Sequence, residues 1–183
     1  EKSSLIRADD LPGVKYDIHA MYKRLIQIGF EVKQIENVSK DQIIPALEDN
    51  ASNSPCDAIH IVYFTGHGGH ANGNNYIYPI DFASRFDTSK DIETSAMNIR
   101  DIISIYKGKG RLILILDACR SDFESSKGYY SEITAAEDVY IAYGTQFQHT
   151  SIGISNEMSP FTKAICDEIL EPNIDVDELF TRV

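Results

Sequence analysis

The chain is short of cysteine, short of cations and short of continuous apolar sequence. Three cysteines occur in 183 residues (Cys56, Cys119 and Cys166), an odd count, widely separated and without a CxxC pair. That excludes a disulfide framework or a zinc ribbon and implies reduced thiols. No stretch approaches the roughly 18 to 20 apolar residues of a membrane span, so no membrane partner is expected. The opening EKSSLIRADD lacks the apolar core of a secretory signal, which makes a cytoplasmic setting the default expectation. Seventeen basic residues against 28 acidic ones leave a net charge of −11. Phosphate backbones are bound by clustered Lys and Arg, so nucleic acid is not expected as a partner. No repeat or low-complexity segment occurs.

What is present describes an ordinary globular protein. Apolar residues make up 43% and charged residues 25%, at a length suited to one domain over residues 1–183. Ile18, Met21, Tyr22, Leu25 and Ile28 follow helical spacing over 17–28, with Gly29 as a cap. Phe30, Val32 and Ile35 alternate as in a strand, and Ser39 opens a second helix that Pro45 should kink. Residues 58–64 (AIHIVYF) and 111–117 (RLILILD) are dense in apolar and β-branched residues, as strands buried on both faces of a parallel sheet are. Between them lie a Gly/Asn-rich stretch (66–75), a short β-like piece (76–79) and a helix (98–106), together a long crossover. DVYIAY (138–143) predicts a further strand. Ser159-Pro160 opens a helix with Phe161, Ala164, Ile165 and Ile169 inward, and Asp175 caps another that runs to the end of the sequence. The sequence therefore reads as a domain cut within that helix. The polar stretch 121–136 predicts a mobile surface loop.

Two reactive side chains fall at matching places. His67, in TGHGG, directly follows the first buried strand, and Cys119, in DACR, directly follows the second. In open α/β sheets the carboxyl ends of the strands are where loops converge into a cleft. A thiol is a weak nucleophile until deprotonated, so a neighbouring imidazole is the partner it needs, and glycines around His67 admit close backbone approach. Backbone N–H groups of Gly68 and Cys119 are candidates for an oxyanion hole. The two side chains differ by 52 positions (119 − 67), against a spacing of roughly 50 between histidine and cysteine in caspases.

YFTGHGG followed by ILDACR resembles the histidine and cysteine motifs of caspase-like cysteine proteases, nearest to their paracaspase and metacaspase branches. LPGVKYDIHAMYKRLIQIGFEV is similar to the family's first helix and second strand, NGNNYIYPID to its hairpin after the histidine, and VYIAYGT to its strand after the cysteine loop. The likeness covers most of residues 11–170. It implies a three-layer α/β/α sandwich around a mostly parallel sheet, and a cysteine endopeptidase with Cys119 as nucleophile and His67 as general base. Caspases proper carry Gln two residues before the cysteine and cut after Asp. Paracaspases and metacaspases carry Asp there, as here at Asp117, and cut after Arg or Lys. By position Asp17 matches a second acidic residue of that basic-residue pocket. A third acid, a glutamate in the family, has no counterpart in 146–156, and Glu157 is a weak substitute. The first strand also departs from the pattern: Ser4-Leu5-Ile6 is short, and polar Arg7 to Asp10 follow.

The resemblance implies peptide substrates, no organic cofactor, and calcium only in a metacaspase-like mode of activation. A homodimer of uncut chains is the favoured trigger, with cleavage at Lys127-Gly128 as the rival. A silent caspase-like scaffold that only binds partners is the alternative of a different class. Plainer readings also apply to single residues. Asp117 could pair with Arg120, Asp17 could cap its helix, and Cys56 and Cys166 could be packing. His67 and His70 make an HxxH without further ligands nearby in sequence, so no metal is expected. His19, His60 and His149 have no partner motif.

Overall fold

A computed structural model describes residues 11–82, 89–118, 121–122, 138–144 and 157–183. In chain order the elements are α1 (Val14–Gln27), α2 (Lys40–Asn53), β1 (Ile59–Gly66), β2 (Gly68–Ala71), β3 (Asn74–Ile77), α3 (Ser89–Ser95), β4 (Met97–Asn98), α4 (Ile99–Tyr106), β5 (Arg111–Ala118), β6 (Ser121–Asp122), β7 (Val139–Tyr143), α5 (Pro160–Glu168) and α6 (Val176–Arg182). They fall into two compact units, one drawing on Asn37–Thr150 and the other on Asp10–Glu36 with Ser151–Val183.

The first unit is built on a parallel sheet of order β1-β5-β7. Its strands are the apolar runs that the sequence marks out, and the pleat sorts them by face. Leu112, Leu114 and Leu116, flanked by Val62, Phe64, Val139, Ile141 and Tyr143, pack with Ile43 and Ala51 of α2 and Ile99, Ile102 and Tyr106 of α4. Ile113, Ile115 and Asp117 alternate with them and point to the opposite face. His60 is a satisfied core histidine: it is buried, its Nε2 lies 3.0 Å from the Lys109 carbonyl oxygen, and its ring is 4.8 Å from that of Tyr106. Gly110 lets the chain enter β5, since a Cβ there would sit 2.2 Å from the Ala58 carbonyl oxygen at a φ of +112°.

Local signals account for the helix starts. The Ser39 N–H donates to Gln42 Oε1 at 2.9 Å, and α2 continues through Pro45. Asn98 Oδ1 accepts from the Arg100 N–H at 2.9 Å to open α4.

A second sheet of the same unit has order β4-β3-β2-β6. Its hairpin turns at Asn72 (φ +47°) and Gly73 (φ +76°), the pair of left-handed residues that a two-residue type I′ turn requires. The register that follows is Ala71 opposite Asn74 and Gly68 opposite Ile77.

The second unit contains α1, α5 and α6, with α5 packed against both of the others. α1 buries Asp17, Met21 and Leu25, so the inward line includes a carboxylate and leaves Ile28 exposed, unlike the apolar stripe the spacing predicts. Gly29 ends it at φ +97°, as expected. Phe30–Ile35 does not form the strand that its alternation predicts. A strand needs a ladder partner, and the described residues supply none; Ile35 is 40% exposed. In α5 the buried residues are Thr162, Ile165 and Cys166, with Ile169 just beyond, while Phe161 and Ala164 are half-buried. The loop expected over 121–136 begins as β6 at 121–122, and 123–136 lie outside the described residues.

Candidate active site

The site begins where two parallel strands end. β1 and β5 run side by side as far as Gly66 opposite Ala118. His67 follows Gly66 and joins β1 to β2; Cys119 follows Ala118 and, with Arg120, lies outside the described residues. Beyond these the two segments pair again in parallel, Gly69 with Ser121 and His70 with Asp122. The pairing offset is 52 residues before the histidine (118 − 66) and 52 after it (121 − 69).

Gly66 is the joint that allows this. Its φ is +152°, and a Cβ would meet the Phe64 ring at 3.0 Å, so a side chain would be strained there. The half-buried His67 then has its carbonyl oxygen held by the Tyr78 N–H at 2.9 Å. That bond makes 67/78 the hydrogen-bonded kind of antiparallel pair and Gly68/Ile77 the other kind. The buried Gly68 therefore turns its N–H away from β3, to the edge of β2 where β6 runs.

Asp117 is 4% exposed. It stands two residues before Cys119, opposite Thr65 in the register, and paired residues of parallel strands share a face. A carboxylate so placed is aimed away from the leucine core, beside the end of the histidine strand.

Asp17 belongs to the second unit. It is 3% exposed, and its Oδ1 accepts the Ser159 N–H at 2.7 Å. Ser159 in turn caps α5, its Oγ accepting from the Thr162 N–H at 3.0 Å. Asp17 thus stabilises the start of α5 rather than capping its own helix. Glu157 is exposed.

Of the remaining thiols, Cys56 is exposed and Cys166 buried. Burial pushes the Cys166 thiol up to about 11, with Arg24 opposing that rise and Asp167 and Asp17 adding to it. Cys166 is a packing residue. His70 is half-buried on β2, opposite Asn75 of β3. Among the described residues no three His, Cys, Asp or Glu side chains are grouped as metal ligands would be.

Two supports of the site are not evident as motifs. Tyr78 is one: its N–H holds His67, its ring stacks on Phe82 at 4.0 Å, and burial pushes its hydroxyl up to about 12. Counting the hairpin register outward from Asn72-Gly73 would have placed it opposite His67. The other is a hydrogen bond from Asn75 Nδ2 to the Tyr143 hydroxyl at 3.2 Å. These residues are 68 positions apart, and nothing in the sequence pairs them.

An α/β sheet with a histidine and a cysteine strand ending side by side is the ground plan of a caspase-type hydrolase. The chain belongs to the caspase domain family, whose profile matches residues 6–183. It is also similar to the mucosa-associated lymphoid tissue lymphoma translocation protein 1 homolog of Mus musculus and to its Homo sapiens counterpart. Each is 20% identical over 166 residues, covering 85% of this chain. The chain spans 19% of the length of either relative. The α/β fold expected from the sequence and the caspase-like peptidase class both stand. No helix among the described residues is long and apolar enough to cross a membrane.

Proposed function

We propose that the chain is a cysteine endopeptidase cutting after Arg, and less well after Lys, through a Cys119–His67 dyad. The observation that carries this reading is the constant pairing offset of 52 on both sides of His67, because 67 plus that offset is 119. His67 takes the thiol proton, and the thiolate attacks the scissile carbonyl carbon. The developing oxyanion accepts hydrogen bonds from the N–H groups of Gly68 and Cys119. The imidazolium then protonates the leaving amine, and water hydrolyses the thioester with His67 again as base.

Asp117 selects the substrate. A buried carboxylate two residues before the nucleophile supports bidentate pairing with a guanidinium and repels an acidic side chain. Asp17 is proposed as a second, weaker acidic contact. Its bond to Ser159 gives it a structural task as well. No organic cofactor enters these steps, reduced thiols suit a cytosolic setting, and activation is by pairing of two uncut chains.

The test is turnover of fluorogenic peptides that differ only in the residue before the cut. Cleavage after Arg exceeding that after Lys, with none after Asp, is the expected result. Absence of turnover for every peptide, in a protein whose cysteine at 119 is reduced and intact, would leave the silent scaffold as the better reading.

A further inference from the structure

The histidine is carried on a joint. His67 links the two sheets, and Gly66, immediately before it, adopts a φ of +152°, where a side chain would otherwise restrict the backbone. The apolar side chains of Ile77 and Met97 hold the second sheet against the core, but such contacts are non-directional and resist separation better than rotation. The two-residue β2–β6 ladder ties one edge of the β2–β3 hairpin directionally; a second directional tie on the β3 side would fix its angle, and with it the approach of the imidazole.

Asn75 and Tyr143 have the geometry for that tie. Asn75 stands on β3 opposite His70 of β2. Tyr143 is the last residue of β7, opposite Leu116 of β5, and the next residue donates its N–H to the Leu116 carbonyl oxygen at 2.8 Å. The Tyr143 ring packs on the leucine face, which fixes the position of its hydroxyl. The 3.2 Å bond from Asn75 Nδ2 therefore joins the histidine hairpin to the far strand of the main sheet, closing a circuit through β5 and β1. Both partners are half-buried, so water competes weakly for the bond.

We propose that Asn75 and Tyr143 are positioning residues that set the orientation of His67 relative to the end of β5. The proposal rests on His67 being the general base. A small misplacement of a catalytic group costs rate far more than it costs binding. Tyr143→Phe and Asn75→Ala should each lower kcat by about tenfold, with KM within twofold and far-UV circular dichroism unchanged. The double variant should be no slower than either single one, because both remove the same bond. The pH dependence of alkylation at Cys119 should shift upward in each, as the thiolate loses its imidazolium partner.

The decisive set is wild type, the two single variants, the double variant and His67→Ala, followed by kcat, KM and the imidazole proton signals of His67 in NMR. Single variants with wild-type kcat and pH profile, or effects that simply multiply in the double variant, would overturn the tie. If His67→Ala retains turnover, the general-base reading fails instead. In that case the His67 ring signals alone decide: an unchanged spectrum in Tyr143→Phe overturns the positioning role, and a shifted one upholds it.

Discussion

The Ser159 backbone N–H donates to Asp17 Oδ1 at 2.7 Å across 142 positions of sequence. With Asp17 only 3% exposed, the carboxylate is committed to the first turn of α5, where the helix presents its unsatisfied donors. Asp17→Ala leaves that buried N–H without its acceptor and should cost about 1–3 kcal/mol. Asp17→Asn keeps an acceptor oxygen and should cost less. The midpoints of urea unfolding check this; equal midpoints for Asp17→Ala and wild type would mean the bond contributes nothing.

Loss of either member of the proposed dyad should abolish turnover and spare the fold. Cys119→Ala and His67→Ala are expected to retain less than about 1% of wild-type turnover, with thermal midpoints near that of wild type. Activity above that level in either variant would remove Cys119 or His67 from its role.

For Asp117→Asn the expected loss is in kcat/KM for Arg peptides, some 30- to 5000-fold, corresponding to about 2–5 kcal/mol for a charge-assisted contact in a closed site. Cys119 should keep its reactivity towards a small alkylating agent. An unchanged Arg preference in the variant, or wild-type cleavage after Asp, would make the carboxylate purely structural.

Tyr78 offers a test of the hairpin that carries His67. Its hydroxyl is buried without a hydrogen-bond partner among the described residues, a cost that Phe does not bear. Tyr78→Phe retains the N–H that holds His67 and the ring that stacks on Phe82. It should therefore raise stability by about 0.5–1.5 kcal/mol with activity unchanged. A lower urea midpoint would show that the hydroxyl has a partner in solution.

Alkaline stability should respond to Cys166. Burial raises its thiol to about 11 from an ordinary 9, so the folded chain holds that proton where the unfolded chain releases it. The associated stability is complete below about pH 9 and is lost as pH rises towards 11. Tyr78 and Tyr106, both pushed up to about 12 by burial, add to the decline above pH 10. Cys166→Ala should flatten the 9-to-11 part of the unfolding-versus-pH curve and leave the later part in place. At neutral pH, Cys56 should alkylate in the native protein while Cys166 reacts only on unfolding, as mass spectrometry would reveal.

Much of this protein is written in local sequence. Apolar runs specify β1, β5 and β7 because dense apolar and β-branched residues favour the extended, pleated chain, although only β5 is largely buried. Ser39, Asn98, Ser159 and Asp175 mark helix starts because an N-cap is chosen by its nearest neighbours in sequence. His67 and Cys119 are legible for the same reason, each following directly on a strand. Tertiary structure alone decided what depends on partners distant in the chain. Phe30–Ile35 has strand-like alternation but no ladder partner among the described residues. Asp17 looks like an ordinary acid of a helix's first turn, yet Ser159, far along the sequence, makes it a buried anchor. The Asn75–Tyr143 bond exists only because two sheets meet, and side-chain hydrogen bonds between remote residues leave no periodicity to read. Periodicity and capping act within a few residues; burial and pairing are settled only when the whole chain has closed around them.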